Sequence, residues 1–185
     1  MNKEIRKHKN HQQWISSEEV TEWFLQLERG KYEFMKFDIK EFYPSINEKL
    51  LDEALEFAKT YTDIDNNDKN IIKHAAKSIL YSNGEIWKKK NETNQNSLFD
   101  ITMGGFHGAE ICELVGLYML EGLNQIIPEQ KVGLYRDDGL TAIPKQKRHH
   151  AENLKKKLHK YAEKIGLEIN YRGPFDKNRF PRFRI

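Results

Sequence analysis

Three aspartates are the residues of this chain whose type and placement best suit chemistry. Asp38 closes the run KYEFMKFDI at residues 31–39, and Asp137 and Asp138 stand side by side in GLYRDDGL at residues 133–140. Hard divalent cations such as Mg²⁺ take oxygen ligands and are commonly held by one or two carboxylates plus the phosphates of a substrate. Two such ions roughly 3.5–4 Å apart stabilise both the attacking and the leaving oxygen of an in-line phosphoryl displacement. Taken alone, the doubled aspartate reads as an exposed hairpin, because Asp-Gly between strand-like residues is a strong turn signal. Asp38 alone reads as a strand-end or capping carboxylate. The chemical reading requires the three carboxylates to meet.

The elements that would bring them together can be read from periodicity. In KYEFMKFDI, Tyr32, Phe34 and, less cleanly, Lys36 alternate against Met35 and Phe37, a strand pattern with Asp38 at its end. KVGLY and GLTAI flank the doubled aspartate as the arms of a hairpin that Pro144 ends. Upstream, SSEEVTEWFLQLERG offers Ser16 and Glu19 at capping-box spacing and Gly30 as a helix stop. Helical periodicity recurs in EKLLDEALEFAKTY, with Ser45 or Asn47 as cap, and in DKNIIKHAAKSILY, which SNG at residues 82–84 closes. GEIWKKK and SLFDITM read as short strands joined by the polar ETNQNS stretch. FHGAEICELVGLYMLEGLNQII, residues 106–127, is apolar around most of its circumference and is expected to be the central helix. A basic helix from Lys145 to Lys164 and a strand, LEINY, complete the pattern. This order predicts an α+β fold, a mostly antiparallel sheet with helices packed on one face.

Composition bounds the rest. A chain of 185 residues suits one core, and 31 Lys and Arg against 28 Asp and Glu permit a polyanionic partner without demanding one. The single cysteine, Cys112, excludes a disulfide within the chain and reads as a buried small hydrophobe. No stretch of eighteen apolar residues occurs and no apolar run follows the basic N-terminus, so the expectation is a soluble intracellular protein, cytoplasmic or nuclear, neither secreted nor membrane-bound. Residues 1–15 are polar and basic and are expected to be a flexible tail, with order over 16–172 and a divergent or truncated tail over 173–185. The lysine-rich face of Lys155, Lys156, Lys157, Lys160 and Lys164 is a solvated helix surface by default, and phosphate contact is the sharper alternative.

With these residues in place, the chain resembles the reverse transcriptase palm. FDIKEFYPSI at 37–46 is similar to the first catalytic motif of that family, and LYRDDGL at 134–140 to its Tyr-x-Asp-Asp hairpin. TMGGFHGAEICELVGLYML at 102–120 is similar to the intervening motif, a glycine turn opening a helix, and KYAEKIGLEINY at 160–171 to the fourth. The resemblance implies a palm with a ferredoxin-like (RRM-like) core and an RNA-directed DNA polymerase activity using dNTPs and two Mg²⁺ ions, with Mn²⁺ as a substitute. It implies that Asp38 and Asp137 coordinate both ions, that the Ile39 carbonyl completes the site, and that Asp138 lies close by with a lesser part. Tyr43 matches the aromatic residue that excludes a 2′-hydroxyl. Met103, Gly104 and Gly105 match the turn approached by nucleotide or template, and Tyr135 and Arg136 would touch the nucleic acid.

The resemblance also implies a primer-template partner and a source in a retrotransposon or other mobile element. Fingers and thumb would come from a partner chain or from segments outside this sequence. Two other readings stay open at this point. One is a family B-like DNA-directed polymerase, whose first motif also carries Tyr-Pro-Ser. The other is a non-catalytic palm remnant that binds nucleic acid.

Overall fold

A computed structural model of the chain describes residues 1–8, 11–28, 30–77, 80–87, 89–90, 96–97, 99–101, 105, 107–127, 131–145 and 150–176. In chain order the elements are α1 (Asn2–His8), β1 (Gln12–Trp14), α2 (Ser17–Gln26), β2 (Tyr32–Ile39), α3 (Phe42–Ser45), α4 (Glu48–Lys59) and α5 (Asn66–Ala75). There follow β3 (Leu80–Ser82), β4 (Glu85–Trp87), β5 (Lys89–Lys90), β6 (Asn96–Ser97), α6 (Gly108–Asn124), β7 (Val132–Tyr135), β8 (Asp138–Pro144), α7 (His150–Lys164) and β9 (Ile169–Asp176).

Strand alternation decides which way the main sheet faces. Along β2, Met35, Phe37 and Ile39 point into the principal core, and Phe34 is buried in a second cluster on the other side. Side chains two apart share a face, so Lys36 and Asp38 continue the Phe34 side. The five strands run in the order β1-β7-β8-β2-β9, antiparallel throughout except for the parallel β1–β7 pair. Residues of α4, α6 and α7 cover the principal face, with Leu51, Leu55, Leu114, Leu117, Leu120 and Leu158 fully buried. On the opposite face Trp14, Val20, Trp23 and Leu27 pack on Phe34, Leu140 and Ala142, so α2 covers that side of the sheet beside Phe34. The α+β architecture, with its main helical layer on one face, is the one the sequence pattern predicts.

Three local expectations are corrected. Residues 1–15 contain ordered elements, not a loose tail. Ile5 is fully buried, Arg6 pairs with Glu113 of α6 at 2.7 Å, Gln13 donates to the Glu113 carbonyl at 2.7 Å, and β1 extends the sheet. Few apolar groups suffice because the polar ones find partners about a hundred residues away, which local composition cannot register. The second correction concerns the helix read over DKNIIKHAAKSILY. It begins earlier, behind an Asp65 capping box, and ends at Ala75. Leu80 already belongs to a strand paired with Trp87, and SNG makes a hairpin turn there. Asn83 and Gly84 have φ of 53° and 82°, the two positive values that such turns require. Third, β9 runs past residue 172, pairing Phe175 and Asp176 with β2. Most of the ETNQNS stretch and residues 177–185 lie outside the described residues.

Gly139 sits in β8 directly opposite Phe37 of β2, whose ring lies over it in the space a Cβ would need. Overpacking a filled site costs about 1–3 kcal/mol. Gly139→Ala is therefore expected to lower the unfolding free energy by that amount, read as a lower urea midpoint with an unchanged slope. An unshifted midpoint would mean that the Phe37 ring turns aside at no cost.

Candidate active site

The hairpin that carries the doubled aspartate is tighter than the sequence suggests. Tyr135 and Asp138 are cross-strand partners, which leaves only Arg136 and Asp137 at the tip. Arg136 takes the positive φ, 57°, a left-handed conformation that costs a non-glycine residue about 1–3 kcal/mol. Its guanidinium lies 5.5 Å from the Tyr135 ring centroid. The turn thus falls two residues before Asp138-Gly139, and the glycine is required by the Phe37 ring instead of by the turn. Hairpin and strand are joined directly, since the Ile39 amide donates to the Asp137 carbonyl at 3.0 Å.

Register then sets the carboxylates. Asp38 and Asp138 are direct partners across the antiparallel β2–β8 pair. Directly opposed side chains have Cβ atoms about 4.5–5.5 Å apart, and like charges in that position are destabilising. The Lys36 ammonium offsets part of this, 2.8 Å from Asp138 Oδ1. Asp38 has its carboxyl raised above the usual range, first by burial, then by the charges of Asp137 and Asp138, against the opposing pull of Lys36 and Arg172. On the far side of β2, Asn170 and Arg172 of β9 lie opposite Asp38 and Lys36, so they share their face. Lys36, Phe37, Asp38, Asp138, Asn170, Tyr171 and Arg172 line an open groove of about 310 Å³.

Tyr43 stands on α3, which follows a left-handed Glu41 with φ of 46°. Its ring packs against the principal core, and Cys112 of α6, Arg136 and Asp137 are near enough to influence its ionisation. Burial dominates at both groups: it raises the Tyr43 hydroxyl and pushes the Cys112 thiol up to about 12. Cys112 is therefore a neutral packing residue at physiological pH. Gly105 accepts from the Gly108 amide at 3.1 Å at the entrance to α6. Met103 and Gly104 lie outside the described residues.

The structure thus gathers Asp38, Ile39, Tyr43 and Asp138 around one hairpin, with Arg136 and Asp137 at its tip and Tyr135 beside them at the end of β7. Lys36, Asn170 and Arg172 join the site without having been assigned a role in it. Their signal was present, since Lys36 precedes Asp38 by two in a strand, as Asn170 does Arg172. Among the described residues, no three His, Cys, Asp or Glu side chains form a ready-made ion cage. The arrangement matches the other mode of binding, in which one or two carboxylates hold a hard cation that substrate phosphates complete. Its carboxylate donors suit Mg²⁺ or Mn²⁺, and positive charge there offsets the burial and the repulsion that raise Asp38.

No family model and no curated protein matches the sequence. Solved structures do match. Apo telomerase from Candida tropicalis, truncated from its C-terminal domain, aligns with a TM-score of 0.63 at 16% identity, over 91% of this chain and 37% of that one. Telomerase from Candida albicans, in complex with a TWJ fragment of telomeric RNA, aligns with a TM-score of 0.56 at 16% identity, over 91% of this chain and 33% of that one. The fold is reverse transcriptase-like. The chain spans about a third of the length of these telomerase chains, and at such identity the likeness concerns architecture. Among the described residues, no helix is long and apolar enough to cross a membrane.

The raised Asp38 carboxyl has a thermodynamic consequence. Its protonated form is favoured by folding, so its stabilising contribution is complete below the ordinary aspartate value of 3.8 and is lost as pH rises through the higher native value. Asp38→Asn, which cannot ionise, is expected to be more stable than wild type at pH 7 by about 0.5–1 kcal/mol. Urea unfolding at several pH values measures this, and the gap should close toward pH 3.5. A variant less stable at pH 7 would contradict the assigned repulsion.

Proposed function

We propose that this chain is the palm portion of an RNA-directed DNA polymerase of reverse transcriptase type, which transfers deoxynucleotidyl groups to the 3′-hydroxyl of a primer. The observation that carries the reading is the like-charged Asp38–Asp138 pair on adjacent strands, with Asp137 at the tip beside it, on the groove-bearing face of a reverse transcriptase-like fold. Such an arrangement costs stability and has no packing use, whereas a cation site gives it one.

In this reading Asp38 and Asp137 hold two Mg²⁺ ions, with the Ile39 carbonyl completing the site and Asp138 contributing less. When bound, the ions supply charge stabilisation to the attacking and leaving oxygens of an in-line displacement. The chain's own residues do the positioning. The Ile39–Asp137 backbone bond fixes the hairpin tip against β2, so the carboxylates need little rearrangement. Tyr43, packed against the principal core, presents a ring that selects against a ribose 2′-hydroxyl on steric grounds. Arg172, lining the groove, offers a planar donor to phosphate oxygens. Met103, Gly104 and Gly105 border the nucleotide and template, and Tyr135 and Arg136 meet the nucleic acid. A primer-template and dNTP are the partners, fingers and thumb being supplied by another chain or by further segments. The source is a mobile or virus-like element.

The test is primer extension by the purified chain on RNA and DNA templates with dNTPs and Mg²⁺. Extension on RNA is expected, with Asp137→Ala lowering the rate by about 10²–10³-fold, the size of losing several kcal/mol of transition-state stabilisation. Extension on DNA templates alone would replace this reading with a DNA-directed polymerase. Binding of primer-template without extension, with the fold intact by circular dichroism, would leave a non-catalytic palm.

A further inference from the structure

Within the carboxylate site one cation is already in place. Lys36 Nζ lies 2.8 Å from Asp138 Oδ1, and the two side chains are only 30% and 35% exposed. The Lys7–Glu4 pair, for example, joins neighbours one turn apart on a more exposed helix surface. The Lys36 pair instead bridges two strands about a hundred residues apart in sequence, at the step next to Asp38↔Asp138. Lys36 also lines, with Trp14, Val20, Tyr135 and Leu140, a second small cavity beside the groove. Its aliphatic stem thereby borders aromatic and aliphatic surface while its charge reaches Asp138.

We propose that Lys36 is the resident counter-ion of this carboxylate cluster, engaging Asp138 in the metal-free chain so that an incoming divalent cation must compete with its ammonium. The inference rests on the reading of Asp38, Asp137 and Asp138 as a cation site. Three carboxylates at one strand end repel one another, and Arg172 and Lys36 are the cations that face Asp38 from the neighbouring positions. Lys36 alone of these two is bound to a cluster carboxylate among the described residues. It neutralises one charge and holds Asp138 against β2 before any ion arrives. Lys36 is thus a positioning residue that sets the cation concentration at which the site fills, and it gives Asp138 a reason to take a lesser part in coordination.

The experiment titrates Mn²⁺ alone into the full chain by isothermal calorimetry at low ionic strength. Lys36→Met is expected to bind Mn²⁺ about tenfold more tightly than wild type, the scale of removing one unit charge a few ångströms from a divalent ion in a half-exposed site. Lys36→Arg, which keeps the charge, should bind like wild type. In an Asp138→Asn background the effect of Lys36→Met should shrink to about twofold or less, because the competition runs through Asp138. Lys36→Gln replaces Lys36→Met if circular dichroism shows the latter unfolded. Equal or weaker Mn²⁺ binding by the charge-removing variant overturns the counter-ion role and leaves the cation site standing. Absence of Mn²⁺ binding by wild type and variant alike overturns the site and this inference with it.

Discussion

The pairing of β2 with β8 is the constraint on which the rest of this molecule turns. Because side chains alternate along both strands, the register that places Phe37 over Gly139 also sets Asp38 against Asp138. A shift of one residue would send Met35 and Phe37 to the groove-bearing face and bury the aspartates in the principal core. The buried residues of the principal core therefore hold the carboxylates in opposition even though their charges oppose it. The repulsion is concentrated at one end of the strand pair, and the energy that sustains it comes from apolar contacts deeper in the sheet.

The surrounding elements supply what this register lacks. Lys36 and Arg172 bring positive charge from β2 and β9, on the same face and within the same groove. The principal core presses α6 against the other face, and Tyr43 packs on that core at the margin of the site. Trp14 lies over Gly133 and packs tilted against Trp23, with ring centroids 5.1 Å apart in the latter pair, so the second cluster braces the hairpin's outer arm. The carboxylates thus stand on strands that are packed above, below and along the edge.

Much of this arrangement was legible in the sequence because its causes are local. Alternation in KYEFMKFDI fixes the strand and its end, and the apolar girth of residues 106–127 marks the central helix. Asp137 and Asp138 were identified as the tip of a hairpin, but the exact turn was not. Asp-Gly is the usual turn signal, and here a ring from another strand claims the glycine while Arg136 bears the left-handed backbone. The N-terminal elements were invisible for a related reason. Arg6, Gln13 and Trp14 are ordered by α6, α2 and β7, and nothing near them in the chain reports those partners. Lys36 had the right spacing to share the Asp38 face, and only the register of β8 identified what its charge was for.

The order of strands in the sheet carries a consequence for how the molecule assembles. β7 and β8 are the only pair in the five-stranded sheet adjacent in sequence, and their connection is two residues long. Every other pairing joins segments separated by long intervening chain: β1 waits for β7, and β2 waits first for β8 and then for β9. Closing those loops carries an entropic cost that the hairpin escapes. The turn bearing Asp137 and Asp138 is thus the one part of the sheet that can form from its own sequence, before its partners arrive. Asp38 joins it when β2 docks, so completing the sheet and completing the carboxylate cluster are the same event.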